Sequence, residues 1–589
     1  MRYLFLAFLL IVLGQRNLPG QGSLLPLGSQ EESILSRLEI STGKPAPFHS
    51  SLKPYARGPL VAYALALDSA QNTLGALDKE DLRQIFLSNN EWLGALPYPT
   101  ALGEKSSRKS GEGNASSLIE SAQANPLYVK SRRPILNYFY PTPANLVEVN
   151  TPAFHLRVNP LLQLKYGQQQ NNDEPYFLNQ RGVELRAGID DRIFVLMNIV
   201  ENQAQFPGYV RDRYNQTRSL PGVGLVKSYT GFGVQDGYDF LLSQGYVGFN
   251  FTRHVGAQFG YGKNFIGNGY RSVLLSDFSF NYLHLKLNWQ VWKLHFQNIF
   301  GELNSSSANA VPGDQVVPKK YFAAHHLSIN LTPKLNIGLF EAVVFNRENH
   351  FELQYLNPVV LYRTVEHGLG SPDNVLIGLD GKWNFLNRFQ LYGQFMLDEF
   401  KFNELFVEKR GWWANKYAYQ AGVKYINAFG VDHLDLQAEY NRARPFIYTH
   451  FDESSAYTHY RQPLAHPLGA NFSEWVLLGR WQILPRLLAQ GRIILASTGE
   501  DAQGSNWGSN PLLSSDTRSQ DYGNEIGQGV GADLRILGLD LSYRIAHQTF
   551  LDLQFFSRKK TSEDPNRSST QGFLGGGIRM NLVQWQNDY

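Results

Sequence analysis

The last part of the chain, residues 529–589, alternates apolar and polar residues with a period of two. The clearest stretches are 532–536 (ADLRI) and 539–545 (LDLSYRI), which the dipeptide Leu537-Gly538 separates, and 578–582 (IRMNL). Successive side chains of a β-strand leave opposite faces of the sheet, so the pattern predicts strands with a tight turn at Leu537-Gly538. Each strand would have one apolar face and one face of charges and amides.

The same alternation continues through most of the chain after about residue 146. Short turns are predicted at Asp190-Asp191 and Trp292-Lys293, whereas the stretches 203–236 and 442–471 are long and polar. A soluble sandwich does not need this asymmetry, but membrane β-barrels join their strands by short turns at one end and longer loops at the other. The strand and connection lengths predict an all-β transmembrane β-barrel of about 16–18 antiparallel strands. With Tyr589 as a terminal aromatic, the last strand resembles the final strand of bacterial outer-membrane barrels.

The composition agrees with a strand-built membrane protein. Aromatic residues make up 13% of the chain, with 31 Tyr and 37 Phe, and the mean hydropathy of −0.30 argues against a bundle of membrane helices. A net charge of +3 does not indicate nucleic-acid binding. The absence of cysteine excludes disulfides, thiolate catalysis and Cys-ligated metals.

Four regions follow from the pattern. Residues 1–22 have the form of a secretory signal peptide, with Arg2 before an apolar run that is too short to span a membrane. Residues 23–102 have helical periodicity, including a capping-box pattern at Ser29-x-x-Glu32, and predict a small α-helical plug or periplasmic element. Residues 103–145 predict a polar linker that leads into the barrel, and 146–589 the outer-membrane barrel itself.

No catalytic signature is present, so the sequence predicts a protein that is not an enzyme and needs no cofactor. His325-His326 are adjacent in a predicted strand, so their rings point to opposite faces and cannot share one metal. Asp398-Glu399 have the same geometry, which does not suit a pair of facing catalytic carboxylates.

The most distinctive internal stretch is 262–287, in which a Gly-Asn-Gly turn leads to Tyr270-Arg271-Ser272, a tripeptide expected to be exposed. This stretch resembles the capsule-assembly Wzi family, in the form found in Bacteroidetes envelopes and including gliding-motility proteins of the RemB type. Other segments share the resemblance: 53–57 (KPYAR), 179–185 (NQRGVEL), 201–203 (ENQ), 340–341 (FE), 356–358 (LNP) and 394–399 (QFMLDE). The resemblance implies a barrel of about 18 strands, with a helical bundle at its periplasmic mouth and a noncatalytic role in holding capsule polysaccharide.

Sugars are commonly held by aromatic faces beside carboxylates and amides, and the long connections contain both. The candidate ligand-binding residues are Tyr270, Arg271, Asp277, Asp398, Glu399, Tyr448, Tyr457, Tyr460 and Trp507. The competing interpretation is that these aromatics form a membrane girdle or pack the loops, and that Arg271 and Asp277 pair with each other or join a lumenal network. Trp412-Trp413 are predicted to anchor at the membrane interface.

Three functions remain open at this stage: a surface polysaccharide-binding protein that anchors or assembles capsule, an accessory component of gliding motility, and a porin-type channel. The expected location is the outer membrane of a Gram-negative bacterium. The expected partners are outer-membrane lipid and capsular polysaccharide, with envelope or motility proteins in the second case, and no nucleic acid. A channel requires an open lumen, whereas a Wzi-like binder would have its lumen blocked by residues before Leu146.

Overall fold

A closed β-barrel dominates the fold. The computed structural model describes residues 22–68, 74–93, 139–140, 142–170, 174–305, 317–347 and 350–589. Residues 1–21 of the predicted signal peptide (1–22) and most of the predicted linker (103–145) lie outside these residues. Eighteen long antiparallel strands follow one another around the barrel, and the last pairs with the first. This number confirms the predicted range of about 16–18 strands.

The barrel strands are named β1 to β18 in chain order. They are β1 Phe154–Gln169, β2 Pro175–Ile189, β3 Ile193–Gln205, β4 Val234–Asn250, β5 Val255–Gly262, β6 Tyr282–Val291, β7 Leu294–Asn304, β8 Lys319–Thr332, β9 Leu335–Phe345, β10 Asn374–Phe385, β11 Phe389–Leu397, β12 Tyr417–Tyr425, β13 Leu434–Ala443, β14 Phe472–Leu484, β15 Leu487–Glu500, β16 Val530–Ala546, β17 Thr549–Ser562 and β18 Ser569–Met580. Short pairings supplement them at Val147–Asn150, beside β1, and at Lys227–Gly231, beside β4.

The two ends of the barrel differ in how the strands are joined. At the short-turn end, tight turns such as Asp190-Asp191, where φ is 51° and 52°, and Trp292-Lys293 connect neighbouring strands. At the long-loop end, the connections include the long segments 206–233 and 444–471. This asymmetry was predicted and is confirmed.

The predicted turn at Leu537-Gly538 is wrong, because β16 runs through this point without a break. Near the short-turn end, Leu539 is exposed on the outer face and Asp540 is buried on the inner face; near the long-loop end, Arg535 is exposed and Ile536 is buried. The outer face passes from lipid to water along the strand, while the inner face passes from a polar to an apolar lumen. The apolar and polar faces of β16 exchange sides at the same point along the strand. In the sequence this exchange has the same pattern as the end of one strand and the start of another.

The expectation that Tyr589 lies on the final strand is also wrong. β18 ends at Met580, and Asn581 turns the backbone with φ of 55°. Residues 581–589, called the lumenal tail, then enter the barrel. There the ring of Tyr589 is 6% exposed and packs edge-on against Tyr209, with the Arg213 guanidinium 4.9 Å from its centre.

The segment before the barrel is helical, as predicted. It contains α1 Gln30–Thr42, α2 Arg57–Asp68 and α3 Ala76–Ser88, here called the helical plug. The predicted capping box at Ser29-x-x-Glu32 is wrong: the Ser29 side chain makes no capping hydrogen bond, and Glu32 lies 3.3 Å from Lys53. The long connections carry α4 Gly208–Thr217, α5 Tyr362–Leu369 and a π-helix at Asn403–Glu408. Within the described residues, no helix combines the length and apolarity needed to cross a membrane.

The helical plug lies in the mouth of the barrel at the short-turn end. Its charged side chains reach the inner wall at several strands: Arg37 to Asp435 of β13 at 2.6 Å, Glu39 to Lys382 of β10 at 2.8 Å, and Glu80 to Arg544 of β16 at 2.7 Å. Contacts on different sides of the barrel hold the plug across the opening.

His433, in the turn between β12 and β13, predicts a pH-dependent contact of the plug. Its buried ring lies 3.3 Å from Asp78, 3.6 Å from Asp81 and 2.9 Å from Asp432. Burial lowers the pKa of His433, but these carboxylates outweigh burial and the nearby Arg37, so the pKa is raised overall. A histidine with a raised folded-state pKa stabilises most below its unfolded pKa, about 6.5, and that stabilisation is lost as pH rises through the folded pKa.

We therefore expect trypsin to cleave the plug of the folded protein faster at pH 8.5 than at pH 6, relative to a His433→Gln variant measured at the same pH. At pH 6 the protonated His433 stabilises the plug by about 1.5–3 kcal/mol through its charge-assisted contact, and the His433→Gln variant lacks this stabilisation. The measured quantity is the cleavage rate of the unmodified protein divided by that of the His433→Gln variant at the same pH, which cancels the pH dependence of trypsin itself. A ratio that does not change with pH would contradict a stabilising contact of protonated His433.

Candidate functional site

Residues 263–281, called the inward segment, leave β5 at the long-loop end and fold into the lumen. Val273, Leu274 and Leu275 are fully buried there. The amide side chain of Gln394 on the wall accepts a hydrogen bond from Val273 N at 2.9 Å and donates one to Ile266 O at 2.8 Å. The predicted exposure of Tyr270-Arg271-Ser272 is therefore wrong: Tyr270 is half-buried, Arg271 is 8% exposed and Ser272 is fully buried.

Arg271 is the centre of a buried ionic network that joins the inward segment, the lumenal tail and the wall. Its guanidinium lies 3.1 Å from Asp588 of the tail and 3.5 Å from Glu474 of β14. Asp588 also lies 3.3 Å from Arg492 of β15, which in turn lies 3.3 Å from Asp540 of β16. Burial alone would lower the pKa of Arg271, but the carboxylates of Asp588 and Glu474 raise it, so the guanidinium stays charged.

Asp277 does not take part in this network, and the alternative in which it pairs with Arg271 is wrong. The Asp277 side chain is exposed, and its backbone carbonyl accepts a hydrogen bond from Lys263 Nζ at 3.0 Å. The alternative of a lumenal network is the one that the structure shows for Arg271.

Residues 444–471 also fold inward and pack on the inward segment. The rings of Tyr448 and Tyr457 are fully buried, and their hydroxyl groups donate to Val273 O at 2.8 Å and to Leu274 O at 3.0 Å. From the wall, Lys320 donates to Ala456 O at 2.7 Å. Both tyrosines therefore close the lumen in this structure, and neither ring is available at the outer surface.

Asp398 and Glu399 follow β11 and have different surroundings. One carboxylate oxygen of Asp398 accepts a hydrogen bond from Tyr448 N at 3.0 Å, so this residue holds the 444–471 connection. Burial raises the pKa of Asp398 to about 7, although Lys416 acts against the rise. The side chain of Glu399 is half exposed and lies 3.6 Å from Lys416. Of the two, Glu399 is the one that faces solvent.

Tyr460 and Trp507 are half-buried at the long-loop end. Tyr460 packs edge-on against Phe280 of the inward segment, with 5.3 Å between ring centres. Trp507 is fixed through its backbone, whose N–H donates to Asp501 at 2.6 Å, while its indole N–H donates to Ser505 at 3.1 Å. The structure thus places the predicted residues in two layers: a buried one around Arg271 and a partly exposed one that contains Glu399, Tyr460 and Trp507.

Two long connections, 398–416 and 501–529, are joined by backbone hydrogen bonds and form a continuous surface, here called the joined loops. Trp413 N donates to Asp521 O at 2.9 Å, and Gly523 N donates to Arg410 O at 2.8 Å. Cations lie over the aromatic rings of this surface: Arg518 over Trp413 at 4.2 Å, Lys401 over Trp412 at 4.3 Å and Arg410 over Tyr522 at 4.4 Å.

Arg410, Arg518 and Tyr522 are not among the residues predicted from the sequence. The sequence does show aromatic and basic residues close together within each long connection. It does not show that Arg518 pairs with Trp413, and Arg410 with Tyr522, across the two connections, because the fold brings these connections together. Trp412 and Trp413, predicted to anchor at the membrane interface, lie in the joined loops; that anchoring stays a prediction.

Between the helical plug and the inward parts lies a polar cavity of about 830 Å³. Its walls include Lys424, Arg480, Arg492 and Asp540 together with residues of the lumenal tail. Within the residues described above, no group of three or more His, Asp or Glu side chains is placed to hold a metal ion. His325 and His326 pair separately, with Glu341 at 2.9 Å and with Asp380 at 2.5 Å.

Comparison with known proteins identifies the family. The family model of the capsule assembly protein Wzi matches residues 163–560. The chain belongs to the Wzi family. Among solved structures it is similar to Escherichia coli Wzi, an outer-membrane protein involved in group 1 capsule assembly and a carbohydrate-binding β-barrel. The two chains are 12% identical, with 95% of this chain and 100% of that chain covered and a TM-score of 0.55. This similarity establishes the shared fold.

Other outer-membrane barrels are less similar to this Wzi-family chain. Pseudomonas aeruginosa OprD is 10% identical, with 72% of this chain and 94% of that chain covered and a TM-score of 0.39. Acinetobacter baumannii OccAB2 is 7% identical, with 72% and 97% covered and a TM-score of 0.39. No curated protein matches the sequence. As a member of the Wzi family, the protein is located in the outer membrane of a Gram-negative bacterium, with its short turns toward the periplasm and its long loops outside.

Removal of the Arg271 side chain tests the buried network of this Wzi-family barrel. We expect Arg271→Ala to lower the free energy of unfolding by about 3–5 kcal/mol, because Asp588 and Glu474 would lose their partner while still buried. Asp277→Ala, in the same segment but exposed, should change it by less than about 0.5 kcal/mol. Urea unfolding in detergent, followed by tryptophan fluorescence, measures both. Equal losses in the two variants would show that the network does not depend on Arg271.

Proposed function

We propose that this protein is a noncatalytic outer-membrane anchor that binds capsular polysaccharide on the outer surface of its long loops. The observation that carries the proposal is the occupation of the lumen. The helical plug fills the periplasmic mouth, and the inward segment and residues 444–471 fill the other end. A polymer therefore has no path through the described structure, and the exposed loops are the surface at which it can be held.

The joined loops have side chains that can hold a polysaccharide. Aromatic faces pack against the C–H groups of sugar rings, and charged side chains form strong hydrogen bonds with polar groups of the ligand. Tyr522 is 44% exposed beside Arg410, which is exposed as well. Glu399 and Trp507, predicted from the sequence, lie in the same pair of connections and can contact hydroxyl groups or ring faces.

The buried predicted residues have a supporting role in this proposal. Tyr270, Arg271, Tyr448 and Tyr457 bond to carboxylates or to the backbone in the lumen beneath the loops. Asp398 connects the joined loops to this layer through its bond with Tyr448 N. Tyr460 belongs to the partly exposed layer and packs on Phe280 of the inward segment. Asp277 lines the cavity between the helical plug and the inward segment, away from the joined loops.

The competing functions are distinguished by the same features. A porin-type channel needs an open lumen, which the packed interior does not provide. A role in gliding motility and the resemblance to RemB-type proteins of Bacteroidetes stay predictions. A motility role would act through protein partners and would not depend on affinity for capsule.

Polysaccharide binding is tested with a pair of matched variants. We expect the purified protein in detergent to bind capsular polysaccharide from its own host, measured by surface plasmon resonance. The double variant Tyr522→Ala/Arg410→Ala should weaken binding about tenfold or more, equivalent to about 1.4 kcal/mol for an aromatic–cation pair. The control is Trp292→Ala/Lys293→Ala, which removes the same type of pair, with 5.5 Å between cation and ring, at the periplasmic end.

Unchanged binding in the control together with a loss in the Tyr522 and Arg410 variant would support the proposal. Equal effects of both variants would place the binding surface elsewhere. An absence of binding by the unmodified protein would contradict the anchor function and favour the motility alternative.

A further inference from the structure

One long connection folds outside the barrel instead of into it. Residues 351–369, called the outer clasp, leave β9 and lie against the outer face of β6 to β10. Tyr355 and Tyr362 are fully buried and anchor the clasp by packing on outward-facing residues of the wall. These wall residues are Phe300 of β7, Tyr321 and Ala323 of β8, Val343 and Phe345 of β9, and Val375 of β10.

The clasp covers a row of polar residues on the outer face. Asn298, His325 and Glu341 are direct neighbours across β7, β8 and β9. Each is engaged by the clasp: Asn298 donates to Pro358 O at 3.0 Å, the His325 ring stacks on Tyr362 with 4.4 Å between centres, and Glu341 accepts from Tyr362 N at 2.9 Å and Arg363 N at 3.1 Å. The Glu341 carboxylate thus caps the first turn of α5, and the ring of His325 lies 2.9 Å from it.

The polar row lies at the height of the lipid. The residue across from Glu341 on β10 is Ile377, which faces outward and is 46% exposed. One step nearer the periplasm, Leu339 and Leu379 face outward at 53% and 45% exposure. Further down β10 comes Trp383, which begins a stack of aromatic rings near the short-turn end.

The distance along the strand places the row inside the apolar band. From Trp383 to Ile377 the strand rises about 20 Å along its own axis, or about 15 Å along the membrane normal for a typical tilt, within a band about 25 Å tall. Uncovered, the row would put two ionisable side chains and an amide into hydrocarbon, which is costly. The clasp removes them from lipid and gives hydrogen-bond partners to the Asn298 amide nitrogen and the Glu341 carboxylate.

One edge of the clasp exposes apolar side chains, while its exposed polar residues are Gln354, Asn357, Arg363, Thr364 and His367. Leu353 is 73% exposed, Val359 76%, Leu361 63% and Leu356 37%. Ile377 and Leu379 of the neighbouring wall are exposed apolar residues as well. An exposed apolar surface at lipid height needs an apolar partner.

We propose that the outer clasp is embedded in the outer leaflet and that its apolar edge, Leu353, Leu356, Val359 and Leu361, contacts lipid acyl chains. In this arrangement the clasp replaces the missing apolar residues of β7, β8 and β9 as the lipid-facing surface of the barrel. The inference depends on the fold and the membrane location, and it does not depend on polysaccharide binding.

The absence of cysteine from the chain allows a direct test, because each introduced cysteine is unique. Val359→Cys and Leu361→Cys carry a nitroxide on the clasp, Leu379→Cys is the lipid-facing reference, and Asp516→Cys, 70% exposed in the joined loops, is the water-facing reference. The full-length protein is placed in phosphatidylcholine vesicles. Electron paramagnetic resonance measures the collision rate of each nitroxide with molecular oxygen, which concentrates among acyl chains, and with a neutral nickel chelate, which stays in water.

We expect the oxygen-to-nickel ratio at positions 359 and 361 to match that at 379 and to be several-fold higher than at 516. A ratio equal to that at 516 would show that the clasp edge lies in water and would overturn the proposal. Low collision rates with both reagents would show that protein covers the edge, either a second copy or a partner, and would overturn it as well. The four substituted positions are surface residues, and loss of folding in any of them is detected by heat-modifiable migration on gels.

Discussion

The requirement that every backbone N–H and C=O inside a membrane be hydrogen-bonded determines the rest of this structure. In hydrocarbon an open sheet edge has no water to bond, so the strands must close into a barrel. With eighteen strands, closure encloses a lumen wide enough to hold water or protein. The inner face of the barrel is therefore a second surface that the chain must either leave to water or cover.

This chain covers it from both ends. The helical plug enters from the periplasmic side, and the inward segment, residues 444–471 and the lumenal tail pack above it. The filling segments bring partners to charged groups of the interior. Asp588 lies beside Arg271 of the inward segment and Arg492 of the wall, and Glu39 lies beside Lys382 of the wall. Such pairs stabilise little relative to an apolar core, but removal of one partner is expensive, so they specify where each segment lies. On the outer face, the buried Glu341 carboxylate likewise has its partners in the outer clasp, the N–H groups of Tyr362 and Arg363.

The local parts of the fold could be predicted from the sequence, and the long-range parts could not. Strand periodicity and the turns at Asp190-Asp191 and Trp292-Lys293 depend on neighbouring residues, and they were predicted. The predicted turn at Leu537-Gly538 failed because the alternation in β16 reports the surroundings of both faces, and those change along the strand. The exposure of Tyr270-Arg271-Ser272 was mispredicted because Arg271 meets Asp588, 317 positions away. Some residues of the predicted candidate site are buried and others are exposed. Their burial depends on which long connections fold into the lumen, and the local sequence does not show this.

Single-channel recording in planar bilayers tests most directly whether the lumen is closed. The inserted, full-length protein is expected to give no stable conductance steps above the baseline, with insertion verified by a fluorescent label on the same preparation. Long-lived ohmic conductance steps would contradict a lumen filled by the plug and the inward segments, if their size matched that of porins, whose barrels of about 16–18 strands are filled with water.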